Sequence, residues 1–174
     1  MSAKTVALWR IAADAATYLA EDLSGEGAKR SGGRWNAVGT PMVYTATSRA
    51  LACLETVVHI AGSALALPLN RYLVQIDVPA TLWRKATVLE PKRLVGWDAL
   101  PASKTSIEWG TAWVRANTEL LVLVPSVIVP DEMNVLINPL HSDLAKIKAA
   151  KVRKWLYDPR ALGLPGRPSA FNSP

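Results

Sequence analysis

The hydrophobic positions of the chain fall into short runs that are typical of β-strands. Leu120 to Val124 is apolar at every position, which is the pattern of a central strand covered on both faces. Val43 to Thr45 predicts a shorter buried strand, and Arg71 to Val78 alternates and contains several β-branched residues. Weaker patterns predict further strands at Thr5 to Ile11, Trp83 to Leu89, Val127 to Val129, Glu132 to Ile137 and Lys151 to Tyr157. The charges of the last segment favour an edge position in the sheet.

One long segment after Ser48 has apolar residues at helical spacing. Its broad apolar face is formed by Leu51, Leu54, Val57, Val58 and Ala61, and such a face predicts a helix packed against a core. We expect Ser48 or Thr47 to cap the N-terminus of this helix, because a side-chain oxygen there accepts from a first-turn N–H. We expect Gly62 to end it.

A second helix is predicted from Thr105 to Thr118, with Ser106 or Thr105 itself as its cap. A short helix is expected from His141 to Lys148, and Asp14 to Leu23 is either a short helix or an irregular arm. Ser24 to Asn36 is polar and rich in glycine, which predicts a loop.

Strands and helices are mixed along the chain without regular βαβ alternation. This order predicts an α+β fold with a central mixed sheet and flanking helices. A length of 174 residues favours a single domain with a substantial core. We place that domain at residues 1–162 and expect residues 163–174, which are rich in Gly, Pro and Ser, to form a loose tail.

Composition and charge exclude several classes of protein. The longest apolar run, Leu120 to Val129, is too short to cross a bilayer and is broken by Pro125. Cys53 is the only cysteine, so no internal disulfide forms and a reducing cytoplasmic location is expected, without membrane attachment. Two histidines and one cysteine are too few and too scattered to predict a structural zinc site. The net charge of +6 permits an anionic ligand, but scattered cations do not select nucleic acid.

The best candidate for chemistry is the segment that runs from a glycine-rich loop to the first helix. Gly32 and Gly33 allow close approach of the backbone to a ligand. Arg34 follows them directly and offers a planar fork suited to phosphate. Glu55 lies at the edge of the apolar helix face, where a carboxylate is either half-solvated or held for a purpose. Neither of the two standard nucleotide-binding glycine motifs is present in the chain.

Several short pieces, taken together, resemble the RES-domain proteins, which are the toxins of bacterial RES–Xre toxin–antitoxin pairs. The pieces are Trp9-Arg10, Gly33-Arg34-Trp35-Asn36, Val43 to Ala46, Leu51 to Glu55 with His59, Val124 to Pro130, Asn134 to Pro139 with His141, and Tyr157 to Arg160. They occur in the family's order over nearly the whole chain. The family is named for an arginine, a glutamate and a serine, and those places would be filled by Arg34 or Arg10, by Glu55 and by Ser126.

The resemblance implies a fold similar to that of ADP-ribosyltransferases and diphtheria-type toxins, with NAD as substrate and no other cofactor or metal. It implies a toxin that cleaves the nicotinamide–ribose bond by hydrolysis or phosphorolysis, depletes NAD and arrests growth. The alternative is transfer of ADP-ribose to a host protein, and a less favoured one is a binding module without catalysis. The implied partner is an Xre-type helix-turn-helix antitoxin that covers the active site, with DNA contacted only through that antitoxin.

Once that bond is proposed, each candidate has a chemical role and a structural rival. Glu55 would stabilise the positive charge that develops on the ribose, and Arg34 and Arg10 would hold the pyrophosphate. Tyr44 would stack on the nicotinamide ring, and Ser126 would bond a ribose hydroxyl, a phosphate or the amide. We do not expect Ser126 to be a nucleophile, because no His–Asp pair is arranged around it. The rival roles are loop bracing, core packing and ordinary solvated surface, and His59 is expected to be structural.

Overall fold

Seven strands form one mixed sheet at the centre of the computed structural model, which describes residues 4–61 and 67–162. The strands are β1 (Thr5–Ala13), β2 (Val43–Ala46), β3 (Arg71–Pro79), β4 (Thr87–Val88), β5 (Leu121–Pro125), β6 (Met133–Ile137) and β7 (Lys148–Lys154). Their order across the sheet is β4-β5-β6-β2-β1-β3-β7. Only β4 and β5 pair in parallel among these strands, and the other pairs are antiparallel.

Helices flank this sheet and are placed by their apolar faces. They are α1 (Glu26–Ser31), α2 (Arg49–Ala61), α3 (Ala80–Trp83) and α4 (Lys104–Ala116), with 3-10 turns at Pro91–Arg93, Ser142–Lys146 and Pro159–Leu162. Helix α2 packs its buried residues Leu51, Ala52, Val57 and Ile60 against β1 and the segment around Tyr157. Helix α4 buries Trp113 and Val114 against β5 and β6. The predicted α+β class with a mixed sheet and flanking helices is therefore confirmed.

The sheet separates into two parts between β1 and β2. Strand β1 pairs with β3 along nine residue pairs, from Thr5–Pro79 to Ala13–Arg71. It pairs with β2 at one position only, where Trp9 lies opposite Ala46. Strand β2 ends at this pair, and its other residues are not paired with β1, which leaves room for a cavity between the two parts of the sheet.

Most predicted strands are confirmed, and the strand that ends the sheet is at an edge as expected. That strand, β7, begins at Lys148 rather than Lys151. The hydroxyl of Ser48 accepts from the N–H of Leu51 at 3.0 Å, so it caps α2 as predicted. The expected end of α2 at Gly62 and the tail at residues 163–174 lie outside the described residues.

Several local predictions are wrong. The expected loop from Ser24 to Asn36 contains the short helix α1, and the expected strand from Trp83 to Leu89 is the end of α3, a turn and the two-residue strand β4. Val127 to Val129 forms a turn, because Ser126 hydroxyl bonds to two backbone N–H groups bend the chain there. The short helix expected from His141 to Lys148 is a 3-10 turn.

The apolar face predicted for α2 is also partly wrong. Leu54 and Val58 are 41% and 52% exposed. Val58 borders the cavity instead of the packed sheet, and Leu54 lies outside the cavity lining. The cap of α4 is Ser103, whose side chain accepts from the N–H of Ser106, so the prediction of Ser106 or Thr105 was late by two or three residues.

Candidate active site

A cavity of about 820 Å³ opens where β1 and β2 diverge. Its walls come from both parts of the sheet, from α2, from the glycine-rich loop and from the segment at residues 100–102. Arg10, Arg34, Tyr44 and Glu55 all line it. The structure therefore brings four of the five sequence-predicted site residues to one space, of a size that suits a nucleotide-like ligand.

Glu55 is held in a fixed orientation on the second turn of α2. Its Oε1 accepts a hydrogen bond from the hydroxyl of Ser126 at 2.8 Å and from the side-chain amide of Asn134 at 2.5 Å. Its other oxygen, Oε2, has no hydrogen-bond partner in the described part of the chain. One oxygen is thus engaged by the protein, and the other is available to a ligand.

Ser126 lies behind Glu55 and is fully buried. Its hydroxyl donates to Glu55 and accepts from the N–H groups of Ile128 and Val129 at 3.1 and 3.0 Å. Because these contacts use the proton and both lone pairs of the hydroxyl, the observed role of Ser126 is to support the carboxylate. A direct bond to a ligand would require one of them to break.

Arg34 projects from the tip of a tight hairpin that begins at Gly33 and ends at Asn36. The N–H of Gly33 donates to the carbonyl of Asn36 at 2.9 Å, and the reverse bond is 3.4 Å. Nη1 of Arg34 donates to the carbonyls of Trp97 and Ala99 at 3.0 and 2.9 Å. The guanidinium therefore braces a neighbouring loop through one nitrogen, while Nε and Nη2 have no hydrogen-bond partner among the described residues.

The two buried side chains that follow Arg34 keep the hairpin rigid. Trp35 is 3% exposed and lies between Trp97, which stacks on it at 6.1 Å, and Trp109, which contacts it edge-on at 5.5 Å. The side-chain amide of Asn36 donates to the carbonyls of Ala28, Ala37 and Thr40. The arginine is thus presented from a preorganised loop.

Tyr44 forms part of the cavity wall and also ties the hairpin to β2. Its hydroxyl donates to Oδ1 of Asn36 at 2.7 Å and accepts from the N–H of Trp35 at 2.9 Å. Burial raises the pKa of this hydroxyl well above its ordinary value of 10.0, so Tyr44 stays neutral over the physiological range. Its ring remains beside the cavity, where stacking on a ligand is a prediction that this geometry permits.

Arg10 lies on β1 just past the pair that joins the two parts of the sheet. Its Nη1 donates to the carbonyl of Asp22 at 3.3 Å. Burial lowers its pKa from 12.5 to about 10, against the opposing effect of the nearby Asp22 carboxylate. It therefore remains a cation at neutral pH. Arg10 also borders a second cavity of about 230 Å³, together with Tyr18, Glu26 and Arg71.

Two further residues lie at the cavity. His59 was expected to be structural, and Asn134 was not assigned a ligand or support role from the sequence. His59 lies one turn after Glu55 and lines the cavity. Asn134 lines it as well and contacts Glu55 directly. The sequence pattern did contain Asn134, but its position opposite Ala46 depends on the pairing of β2 with β6, which no local pattern reveals.

Residues 4–61 and 67–162 contain neither a metal-binding cluster nor a membrane-spanning helix. Within these ranges no group of three or more His, Cys, Asp or Glu is arranged to hold a metal ion. None of the helices described is long and apolar enough to cross a membrane.

Sequence comparison finds a matching family model and several similar proteins. The family model described as the RES domain matches residues 7–159. The Prs ADP-ribosylating toxin of Sphingobium sp. (strain YBL2) is 60% identical over 159 residues, which cover 91% of this chain and 98% of that toxin. The protein named Toxin Res of Yersinia enterocolitica serotype O:8 / biotype 1B (strain NCTC 13174 / 8081) is 34% identical over 145 residues, covering 82% and 92% of the two chains.

Structural comparison supports the same assignment at the level of the fold. A chain of the M. tuberculosis MbcT–MbcA toxin–antitoxin complex superposes with a TM-score of 0.54. The alignment covers 86% of this chain and 85% of that one at 21% identity. The structural match shows the shared fold, and the family model and the relatives above show that the chain belongs to the RES-domain family of toxins.

Proposed function

We propose that this toxin cleaves the nicotinamide–ribose bond of NAD and transfers the ADP-ribose to a protein. The main observation behind this proposal is that the hydrogen-bonded carboxylate of Glu55 lines the same cavity as Arg10 and Arg34. The relative at 60% identity is named for ADP-ribosylation of Prs. This name favours transfer, the alternative that the sequence left open, over hydrolysis or phosphorolysis, and makes Prs the first acceptor to test.

The carboxylate supplies the main catalytic effect in this proposal. When the bond breaks, nicotinamide leaves as a neutral molecule with the bonding electrons, and the ribose becomes an oxocarbenium-like cation. A fixed anion next to the sugar stabilises that state more than the ground state, which is the condition for acceleration. Glu55 is fixed through Oε1 and has Oε2 available for the ribose.

The two arginines bind the rest of the dinucleotide. Guanidinium groups form strong, often bidentate bonds with phosphate oxygens. Arg34 has Nε and Nη2 available at the hairpin tip, and Arg10 reaches the cavity from β1. Tyr44 offers a neutral ring beside the same space for the nicotinamide. NAD is the substrate in this scheme, and no other cofactor is required.

The second half of the reaction depends on the acceptor. A nucleophilic side chain of the acceptor protein forms a bond to the anomeric carbon of the ribose and releases its proton to solvent or to a base. Water or phosphate in the same place would give hydrolysis or phosphorolysis instead. Loss of NAD or modification of the acceptor would each arrest growth, and the bond broken is the same.

We also assign the cavity mouth as the surface covered by an antitoxin of the Xre-type, helix-turn-helix class. Leu54, Val58 and Leu100 are 41%, 52% and 81% exposed, and the last two line the cavity. Apolar side chains around a functional opening are typical of a protein-binding surface. The fold is shared with a chain from a toxin–antitoxin complex. DNA would be contacted only through the antitoxin.

Product analysis tests the proposed function. Purified toxin is incubated with NAD, with or without Prs and with or without phosphate, and products and intact proteins are weighed by mass spectrometry. We expect nicotinamide release together with one or more ADP-ribose additions on Prs. Glu55→Gln should lower the rate by about 10²- to 10³-fold, the usual cost of losing a transition-state charge contact.

Asp131→Asn serves as the matched control, since Asp131 is an exposed acid outside the cavity lining. It should keep the wild-type rate. If Prs remains unmodified, free ADP-ribose as the product would show hydrolysis instead of transfer. Phosphorylated ADP-ribose would show phosphorolysis. NAD that remains intact under every condition would contradict all three reactions.

A further inference from the structure

Two side chains from different parts of the chain donate to the same oxygen of Glu55. Ser126 follows β5, and Asn134 lies within β6. Their donor atoms reach Oε1 at 2.8 and 2.5 Å. Both bonds therefore constrain one end of the carboxylate, and neither occupies Oε2.

The direction of the Ser126 bond is fixed by its surroundings. A serine hydroxyl has one proton and two acceptor lone pairs. The N–H groups of Ile128 and Val129 occupy the acceptor positions, so the proton points to Glu55. The side-chain NH₂ of Asn134 is a donor as well. Oε1 thus accepts two hydrogen bonds, one from each neighbour.

The backbone of β6 holds Asn134 in place from both sides. Asn134 is paired with Ala46 of β2 on one side and with Val124 of β5 on the other. A strand with two partners moves less than a loop, so a side chain there makes a precise support. The amide reaches Glu55 across the cavity floor from this rigid position.

We propose that Asn134 is a positioning residue for the reaction: with Ser126 it fixes Glu55 so that Oε2, and not Oε1, meets the ribose. This inference rests on the proposed cleavage of NAD. Asn134 acts through Glu55 and is not itself required to contact the sugar. A carboxylate released from this support could rotate, and a displacement of about 1 Å at a reacting centre costs on the order of 100-fold in rate.

The main test is Asn134→Asp, which keeps the shape of the side chain and replaces its donor NH₂ by an acceptor oxygen. We expect kcat for NAD to fall on the order of 100-fold, with KM changed by less than about threefold because the arginines still bind the substrate. Asn117→Asp is the matched control. It also loses an amide donor, here to the carbonyl of Leu140, and keeps the acceptor used by Asn138. Because residue 117 lies outside the cavity lining, the activity of this variant should be unchanged.

A swap of the two groups separates positioning from a simple loss of stability. In the double variant Glu55→Gln with Asn134→Asp, the amide of residue 55 can donate to the carboxylate of residue 134. We expect its melting temperature to exceed the value obtained by adding the two single-variant changes. Its activity should stay as low as that of Glu55→Gln, because the carboxylate no longer lies on α2.

The comparison of melting temperatures does not depend on turnover, so it remains informative if the wild-type protein does not consume NAD. Such a failure would contradict the proposed function, while the melting temperatures would still test the contact between Asn134 and Glu55. Wild-type kcat in Asn134→Asp would overturn the positioning role. Additive melting temperatures in the swap would overturn it too. If Asn134→Asp does not fold, Asn134→Ser removes the amide without adding charge and should show the same fall in kcat.

Discussion

The hydroxyl of Tyr44 explains why residue 33 is a glycine. A Cβ atom at Gly33 would lie 2.6 Å from that hydroxyl oxygen and 3.0 Å from Oδ1 of Asn36. The Tyr44 hydroxyl donates to Oδ1 of Asn36 and accepts from the N–H of Trp35, so these atoms cannot move away without loss of those hydrogen bonds. Gly32 before it adopts a φ of 69°, which side chains disfavour. The double glycine is therefore required by the hairpin that presents Arg34.

We predict that Gly33→Ala lowers the free energy of unfolding by about 1–3 kcal/mol, as is typical of overpacking. The combination with Tyr44→Phe should recover part of this loss, because the hydroxyl nearest to the new methyl group is gone. Urea unfolding of the single and double variants measures both effects. Val38→Ala, at an exposed position of the same loop, is the control. Equal stability of Gly33→Ala and wild type would contradict the predicted contact.

At the scale of elements, the irregular arm between β1 and α1 depends on one lysine from the edge strand. Nζ of Lys151 on β7 lies 2.9 Å from the carboxylate of Asp14 and 3.3 Å from that of Glu21. The Asp14 carboxylate also accepts from the N–H of Ala20 at 2.8 Å. Because this arm supplies the carbonyl of Asp22 to Arg10, the ion pairs help to place a residue of the cavity.

These contacts predict a pH dependence of stability. The hydrogen bond from Lys151 lowers the pKa of Asp14 below its ordinary value of 3.8. The contribution of Asp14 is therefore present above that value and is lost as the pH falls through the lower folded pKa. The same hydrogen bond, donated to Asp14, raises the pKa of Lys151 above 10.5. The contribution of Lys151 is full below 10.5 and is lost as the pH rises through the raised folded value.

Unfolding free energies of wild type and Asp14→Asn, measured from about pH 7 down to about pH 2, check the acid limb. Wild type should be the more stable protein at neutral pH, and the difference should disappear in acid. Asp131→Asn, at an exposed acid outside the arm, should show no such convergence. A difference that is constant with pH would show that the ion pair does not form in solution.

The sequence predicted strands well where the pattern of burial was local. Strand β5 is apolar throughout because both of its faces are covered, and β7 is charged because it lies at an edge. The sequence failed where long-range contacts decide the outcome. Val58 has helical spacing toward the core, but the separation of β1 from β2 leaves it beside an open cavity.

The candidate site shows the same division. Arg34 and Glu55 could be found from short motifs, because a glycine hairpin and a capped helix are local structures. The support from Asn134 could not be found in that way, since it requires β6 to lie between β2 and β5. The burial of Ser126 behind Glu55 could not be found from a local motif either, because it is a property of the folded chain.

At the scale of the whole molecule, the two parts of the sheet make different contributions to the cavity. The part formed by β1, β3 and β7 supplies Arg10, and the other part supplies Tyr44 and Asn134. They are joined directly by the single pair of Trp9 with Ala46. A ligand bound between them would contact both parts at once and would stabilise their relative arrangement.

The mouth of this cavity gives a prediction about the antitoxin. Leu54→Glu places a charge on an exposed position of α2 that is outside the cavity lining. We expect the variant to keep the wild-type rate of NAD cleavage and to bind the antitoxin at least tenfold more weakly, since a charge is buried without a partner at the interface. Titration of NAD cleavage with purified antitoxin measures both quantities.

Val152→Glu is the matched control, because Val152 is similarly exposed but lies on the edge strand β7. It should be inhibited by the antitoxin as strongly as wild type. If Leu54→Glu is inhibited normally and Val152→Glu escapes, the antitoxin binds at the edge strand and the mouth is not the covered surface.

The saturated hydroxyl of Ser126 also bears on self-modification. An enzyme that generates an electrophilic sugar risks capture of that sugar by its own nearest alcohol. Here both lone pairs of the alcohol beside the carboxylate accept from backbone N–H groups, so neither is available to attack a carbon atom. In the proposed reaction, the contacts that hold Ser126 would thereby limit modification of the enzyme by its own electrophilic intermediate.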